Sequence, residues 1–463
     1  MESATTALCY TKDANQLLTW ESTKPMTYLA PLPLASTCAA LRSDQLDLAE
    51  SIETACERIE AAEPALAALL PEEDRRGRLL REAALLRQRF PEPAQRPALY
   101  GLLFGVKDLF ALDGFKTHAG SRLPPALFAG PEAACVRQLR AAGALLLGVT
   151  VATEFAYFAP GPTRNPYAPA HTPGGSSSGS AAAVAAGYCQ FALGTQTSGS
   201  VIRPAAYCGL VGFKPGYGRI ESAGMIFCAP TLDTIGYLTQ DLAGARLLAP
   251  LLCANWQPSA LPARRPVLGV PTGPYLDQAT PEALLVFEQQ LASLEHAGYT
   301  LRRVPIFQDS ADLTYRHQRL VCAEMARVHA SWFADYETLY RPVTAAAIRE
   351  GQAISASAYD LYRASPLALR AELEGVMDAE HIDLWLSPSA TGPAPEGIET
   401  TGSPALNLPW THAGLPALTL PLALAANGLP LGLQCTARFQ HDEDLLAWAE
   451  NIEQALSSST PGL

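Results

Sequence analysis

ALYGLLFGVKDLF, residues 98–110, is an apolar run of strand length that has a lysine and an aspartate before its last two residues. EAACVRQLRAAG (132–143) has the spacing of an amphipathic helix that Gly143 closes, and ALLLGVTV (144–151) is a second apolar run. A strand, a helix and a strand in this order indicate two parallel strands joined by a crossover helix. The stretch therefore predicts an α/β protein.

The second half of the chain repeats this unit. RPVLGVP (265–271) predicts a strand, and Thr280 and Pro281 provide the N-cap and first position of a helix. The helix ends at Gly298 and is followed by the predicted strand YTLRRVP (299–305). Its apolar stripe consists of Leu284, Phe287, Leu291 and Leu294.

The remaining elements favour one large domain. The residue patterns predict further helices from Leu48 onwards and over 73–88, 312–338, 356–378 and 442–456, and further strands over 383–389, 415–424 and 429–437. We expect a single α/β domain over residues 34–463, with a mixed, mostly parallel twisted sheet sandwiched by helices. Residues 1–33 have weak periodicity and are predicted to be an N-terminal extension.

The composition excludes several classes of protein. The 463 residues carry a formal net charge of −12, and an acidic surface repels phosphate backbones. The sequence has neither an apolar run of about 18 residues, as a membrane span requires, nor the apolar core of a secretory signal. The ten cysteines are scattered without CxxC spacing, which is typical of reduced, buried thiols. We expect a cytoplasmic protein with no nucleic-acid or membrane partner.

TPGGSSSGSAAAVAAG (172–187) is unusual for a globular chain and allows three interpretations. A flexible linker fits poorly, because a small-residue helix follows at once. A phosphate-binding loop would need different glycine spacing and a lysine. A nucleophile elbow with the pattern G-x-S-x-G would centre on Ser177, but the preceding NPYAPAHTPGG (165–175) is not a strand.

LGTQTSGSVIRPAAYCGLVGFKP (193–215) contains a second candidate site. Gly199 and Ser200 lie on a loop that leads into a short helix. Backbone N–H groups from Thr197 through Ser198 to Ser200 could converge there on a developing oxyanion. An ordinary turn with an N-cap serine remains the alternative.

Lys107 ends the first apolar strand, which is an unusual place for a charged side chain. Burial lowers the pKa of a lysine and makes it a usable base near neutral pH. The alternative is a lysine at the rim of the protein that pairs with Asp108.

Five motifs in order resemble the amidase signature family of serine hydrolases. They are GVKD (105–108), TEFAYF (153–158), RNPYAPAHTPGGSSSGSAAAVAAG (164–187), GTQTSGSVIRPAAYCGLVGFKP (194–215) and PWTHAGLPALTLP (409–421). The resemblance extends from about residue 35 to residue 457 and implies the amidase signature fold. Five motifs at family-like spacing are far more specific than any one of them.

The resemblance implies a Ser-cisSer-Lys triad. Ser200 matches the nucleophile, Ser176 the bridging serine and Lys107 the base. In the family, the bridging serine follows a non-proline cis peptide bond, which in this chain would join residue 175 to Ser176. The resemblance also implies that backbone N–H groups of residues 197–200 hold the oxyanion. We expect Gly175 to ease that geometry, and Ser177 either to hydrogen-bond to Lys107 or to cap the following helix.

The loop before Ser200 departs from the family pattern. Gln196 stands where the family has aspartate, and Ser198 stands where it has glycine. Ile202 occupies the position of the family arginine, and Arg203 comes one residue later. A carboxylate and a guanidinium have thus left their usual places together, as the replacement of an ion pair requires.

The resemblance implies hydrolysis of amides, anilides, carbamates or esters without a cofactor or a metal. The apolar stretch TEFAYFAPGP (153–162) suggests Tyr157 and Phe158 as substrate-binding residues and favours uncharged aryl or alkyl amides, carbamates (urethanes) or esters. We expect a monomer or a homodimer, with His171 and His412 in packing roles. The alternative function is the glutaminase subunit of a tRNA-dependent amidotransferase, which shares the triad and passes ammonia to a partner.

Overall fold

Ten strands form one mixed sheet in the computed structural model, which describes residues 28–259 and 264–459. Their order across the sheet is β2-β1-β3-β5-β4-β9-β10-β8-β6-β7. The strands are β1 (Leu103–Lys107), β2 (Leu145–Thr150), β3 (Phe191–Gln196), β4 (Val211–Lys214), β5 (Thr234–Thr239), β6 (Val267–Pro271), β7 (Thr300–Val304), β8 (Leu384–Pro388), β9 (Ala417–Leu424) and β10 (Pro430–Ala437).

Parallel pairing occupies the two ends of the sheet. Strand β1 pairs in parallel with β2 and β3, and β6 pairs in parallel with β7 and β8. In the middle of the sheet, each strand pairs antiparallel with its neighbour, from β3 through β5, β4, β9 and β10 to β8. Both units predicted as strand, helix and strand are therefore present, one in each end region, and the prediction of an α/β domain with a mixed sheet is confirmed.

Helices pack around this sheet. They are α1 (Leu34–Arg42), α2 (Leu48–Leu66), α3 (Arg75–Arg89), α4 (Ala134–Ala141), α5 (Ser178–Ala185), α6 (Ile202–Tyr207), α7 (Leu242–Leu252), α8 (Pro281–His296), α9 (Ser310–Val328), α10 (Ala330–Tyr336), α11 (Pro342–Gln352), α12 (Ala356–Ala379), α13 (Leu408–His412) and α14 (Asp442–Ser459). Residues 28–33 precede α1 without regular structure. The first 27 residues of the predicted extension lie outside the described residues, so its division from the domain at residue 33 stays a prediction.

Some predicted elements have different bounds. Strand β1 is shorter than the apolar run 98–110, because Gly101 has a φ of +72° that a strand does not allow. The predicted helix 312–338 is broken at His329, where the backbone leaves helical geometry and the imidazole enters a cluster of aromatic rings. The helix over Pro342–Gln352 was not predicted from the sequence.

The small-residue helix α5 explains the run of alanines and glycines. All eight of its residues are buried between neighbouring elements. A Cβ atom at Gly179 would lie 2.2 Å from the carbonyl oxygen of Ala68 and 2.3 Å from the amide nitrogen of Val151. Only glycine allows this close approach of three backbone segments, and the helix thereby holds the preceding turn against the sheet.

The composition predicts buried, reduced cysteines and no membrane-spanning segment, and the described residues agree with both predictions. The nine cysteines within the described residues are buried and form no disulfide bond. In the same part of the chain, no helix combines the length and the apolar character that crossing a membrane requires.

Candidate active site

The side chain of Lys107 is fully buried at the carboxyl end of β1. Its Nζ is hydrogen-bonded to Ser176 Oγ and to Thr195 Oγ1, each at 2.7 Å. The alternative of a rim lysine paired with Asp108 is wrong, because the Asp108 carboxylate accepts instead from the backbone N–H groups of His118 and Gly120. Because β1 and β3 are parallel neighbours, Lys107 and Thr195 lie together at the carboxyl ends of these two strands.

Burial controls the protonation of this lysine. Desolvation lowers the pKa of Lys107 to about 7, although the carboxylate of Asp233 acts in the opposite direction. A lysine with this pKa is partly neutral near pH 7, whereas a lysine in water stays protonated there.

The turn before Ser176 contains the expected cis peptide bond, between Gly175 and Ser176. The two glycines have different tasks. Gly174 has a φ of +80°, in the left-handed region that favours glycine. A Cβ at Gly175 would lie 2.6 Å from Thr401 Cγ2, so its small size is needed for packing.

Ser200 lies at the end of the loop 197–200, which we call the oxyanion loop. In the described part of the chain, the backbone N–H groups of these four residues have no protein acceptor. The next two N–H groups, of Val201 and Ile202, donate to Gln196 Oε1 at 2.8 and 2.9 Å. Four adjacent free donors at the start of a helix can bind a negative charge.

Ser177 performs neither of its predicted roles. Its hydroxyl is 3.3 Å from both the N–H and the carbonyl oxygen of Thr195, and it makes no capping hydrogen bond to α5. The reason is geometric, because Ser177 faces the backbone of β3 while Ser176 takes the position beside Lys107. Ser177 thus ties the serine turn to the strand that leads into the oxyanion loop.

Gln196 and Arg203, which depart from the family pattern, both make hydrogen bonds that support the site. Gln196 satisfies two N–H groups with its amide oxygen and donates from Nε2 to Thr411 Oγ1 at 2.9 Å. Arg203 is buried and donates to the carbonyl oxygens of Thr401 and Gly175, each at 2.7 Å. A neutral amide therefore stands in for the carboxylate, while the shifted guanidinium braces the turn that carries Ser176.

Asp233 and His317 are site residues that no sequence motif indicated. The Asp233 carboxylate accepts from Thr197 Oγ1 at 2.5 Å and from the N–H groups of Cys228 and Ala229. His317 Nε2 lies 2.8 Å from the hydroxyl of Ser198. Because both residues lie outside the five motifs, only the folded chain brings them to the oxyanion loop.

A cavity of about 320 Å³ adjoins these groups. Ser176 and three of the four predicted loop residues, Thr197, Ser198 and Ser200, line it, as do the predicted substrate-binding residues Tyr157 and Phe158. Among the described lining residues Arg203 carries a charge, and the others are apolar or uncharged at neutral pH. Within the described part of the chain, no aspartate or glutamate belongs to the lining.

The two histidines of the motifs have different surroundings. His171 forms a β-bridge with Glu396 and does not line the cavity. His412 is buried beside His317 and so contacts the site through that residue. Among the residues that the structure describes, no three His, Cys, Asp or Glu side chains form a cluster that could hold a metal ion.

The large α/β domain thus contains a buried lysine bonded to one serine, and a second serine lines the same cavity as the first. The family model described as Amidase matches residues 50–446. The chain therefore belongs to the amidase family, as the five motifs indicate.

The individual relatives have names of two kinds. The chain is 32% identical to a glutamyl-tRNA(Gln) amidotransferase subunit of Synechococcus sp. (strain RCC307), over 92% of this chain and 97% of the relative. A solved structure described as an amidase is 31% identical, with a TM-score of 0.82 over 91% of this chain and 99% of its own. The native peptide amidase of Stenotrophomonas maltophilia is 25% identical, with a TM-score of 0.78 over 95% and 99%.

Proposed function

We propose that this enzyme hydrolyses the C–N bond of a small amide-type substrate through an acyl-enzyme on Ser200. The observation that carries the proposal is the 2.7 Å hydrogen bond between Lys107 Nζ and Ser176 Oγ beside a cavity that Ser176 and Ser200 both line. A buried amine with a pKa of about 7 is a suitable base for this chemistry.

In the proposed reaction, neutral Lys107 takes the proton of Ser176 as Ser176 takes the proton of Ser200. The Ser200 oxygen bonds to the substrate carbonyl carbon, and the carbonyl oxygen becomes an oxyanion held by N–H groups of the oxyanion loop. Ser176 then donates one proton to the leaving nitrogen, because an amine anion cannot leave, and takes a proton back from Lys107. Water then attacks the carbonyl carbon of the acyl-enzyme and gives its proton to the same relay. The acid is released, and Ser200 regains its proton.

The cavity lining supports an uncharged acyl group. Tyr157 and Phe158 give it an apolar wall suited to an aryl or alkyl amide, a carbamate or an ester. A substrate ammonium group would find no carboxylate among the described lining residues, and burying an unpaired charge is costly. In this proposal the enzyme is cytoplasmic, acts as a monomer or a homodimer, and uses only its own side chains and backbone.

The second candidate is a glutaminase that supplies ammonia to a partner protein. The names of several relatives favour it, since these proteins, at 28–32% identity, are subunits of glutamyl-tRNA(Gln) amidotransferases. Glutamine carries an α-ammonium group, however, and the lining described above offers that group no carboxylate. We therefore propose the amide hydrolase first and retain the glutaminase as its competitor.

A substrate panel separates the two candidates. We expect the isolated chain to hydrolyse anilides, uncharged primary amides, carbamates or esters, and to leave glutamine unchanged. The measurement is product release by chromatography for each substrate, with Ser200→Ala protein as the control for uncatalysed reaction. Glutaminase activity that appears only when the partner proteins of an amidotransferase are added, with no activity on the neutral substrates, would establish the competitor instead.

The pH dependence tests the role of Lys107. A base acts only when neutral, so kcat/KM should rise as the pH increases through about 7 and level off above it. Because the Asp233 carboxylate raises the pKa of Lys107, the Asp233→Asn variant should move this limb to lower pH. The profile is measured from about pH 5.5 to 9 under kcat/KM conditions. A limb near the ordinary lysine pKa of about 10, or one that Asp233→Asn leaves in place, would contradict the assignment.

A further inference from the structure

Four side chains connect the oxyanion loop to helix α12, and we call them the histidine chain: Ser198, His317, His412 and Ser365. Ser198 is partly exposed to the cavity and the other three are buried. Ser198 Oγ lies 2.8 Å from His317 Nε2, and His317 Nδ1 lies 3.1 Å from His412 Nδ1. His412 Nε2 lies 2.8 Å from Ser365 Oγ. The residues come from the loop, α9, α13 and α12, so the chain links four separate elements.

The hydrogen-bond partners favour one assignment of the protons in the chain. The Ser365 hydroxyl donates to the carbonyl oxygen of Tyr362 at 2.8 Å, so its oxygen accepts from His412 Nε2–H. His412 Nδ1 then carries a lone pair and accepts from His317 Nδ1–H. His317 Nε2 is consequently unprotonated and accepts from the hydroxyl of Ser198.

Both rings are neutral in this arrangement. Desolvation lowers the pKa of His412 to about 4 and that of His317 well below its ordinary value. Each imidazole therefore has one donor and one acceptor nitrogen, and every hydrogen bond in the chain points the same way, from Ser198 towards Tyr362. The arrangement is complete without a charge on either ring.

Ser198 is consequently held at two points. Its hydroxyl donates to His317, and its carbonyl oxygen accepts from Thr411 Oγ1 at 2.6 Å. Because a trans peptide is planar, fixing the carbonyl of Ser198 also fixes the N–H of Gly199, which points the opposite way. That N–H is one of the proposed oxyanion donors.

We propose that His317, braced by His412 and Ser365, is a positioning residue that fixes the oxyanion loop through the Ser198 hydroxyl. It transfers no proton to substrate and acts only by holding the loop. The inference rests on the proposed function, since it concerns the same oxyanion. It assigns a task to the serine that replaces the family glycine at position 198, namely to provide the hydroxyl that His317 holds.

The test measures the rate at which an alkyl fluorophosphonate labels Ser200, which requires the oxyanion loop but no knowledge of the natural substrate. His317→Ala should lower this rate about 10- to 100-fold, because a displacement of ~1 Å at a reacting centre costs about 100-fold. His317→Gln should retain most of the rate, since its amide oxygen can accept from Ser198 in place of Nε2.

A double-mutant cycle separates positioning from general structural damage. If His317 acts through Ser198, His317→Ala should have no further effect in a Ser198→Ala background. Ser365→Ala, at the far end of the chain, should show a smaller loss with the same coupling, and it serves if His317→Ala does not fold. His329→Ala is the matched control, because His329 is equally buried near the end of α9 but bonds to Tyr340 and does not line the cavity.

The outcomes are distinct. An unchanged labelling rate in His317→Ala, or losses that multiply in the double variant, would overturn the positioning role. An equal loss in His329→Ala would do the same, since it would show a general response to lost packing. Wild-type protein that is not labelled at Ser200 would instead refute the proposed function itself.

Discussion

The Ser200→Ala protein should fold normally and lose kcat by about 10⁵-fold or more, as removal of the nucleophile does in other serine hydrolases. The hydroxyl is small and borders a cavity, so its loss removes the attacking oxygen without leaving a void in the core. Turnover is measured with the best substrate of the panel, and folding by circular dichroism and the midpoint of thermal unfolding.

Ser177→Ala is the matched control for this experiment. Within the described residues its hydroxyl bonds only to the backbone N–H and carbonyl of Thr195, so we expect kcat to stay within about tenfold of wild type, consistent with loss of neutral hydrogen bonds away from the reacting atoms. Full activity in Ser200→Ala would reject the proposed nucleophile. Loss of activity in Ser177→Ala alone would point to the serine at the centre of the G-x-S-x-G pattern.

Lys107→Met should lower kcat by about 10⁴-fold, the upper range for removal of a general base. Methionine has nearly the length of lysine and fills the same space, but it leaves Ser176 and Thr195 without the amine. The free energy of unfolding should fall, because Ser176 and Thr195 lose a hydrogen-bond partner. The fall should be modest, because removal of a buried amine offsets part of this loss. The measurement pairs single-turnover kinetics with the free energy of unfolding in urea.

The chain provides a matched control in Lys214. This lysine is also fully buried, and desolvation lowers its pKa to about 7. Its Nζ, however, donates to the carbonyl oxygens of Pro215 and Leu415, neither of which lines the cavity, whereas Lys107 bonds to the cavity-lining Ser176. Lys214→Met should therefore change stability while leaving kcat near the wild-type value. Equal losses of kcat in both variants would mean that Lys107 matters only for folding.

The elements with clear periodicity were predictable from the sequence. The unit over 265–305 has its N-cap at Thr280, whose hydroxyl accepts from the N–H of Ala283. The antiparallel direction of the central strands was not predictable, because a short apolar run has the same pattern in either direction. The break at His329 was also hidden, since it results from an aromatic cluster formed by distant parts of the chain.

The site was predictable where motifs are local. The contact of Lys107 with Ser176 joins residues 69 positions apart, and only the family resemblance could connect them before the structure. Asp233 and His317 approach the oxyanion loop from outside every motif. Their residue types are common in surface positions, so nothing in the local sequence distinguishes them.

Locating the covalent intermediate would decide between the nucleophiles most directly. A slowly deacylating ester or carbamate is mixed with the enzyme, the reaction is stopped with acid, and the modified peptide is sequenced by mass spectrometry. We predict an acyl group on Ser200, formed in wild type and absent from Lys107→Met on the same time scale. An acyl group on Ser177, or turnover without any covalent adduct, would contradict the account.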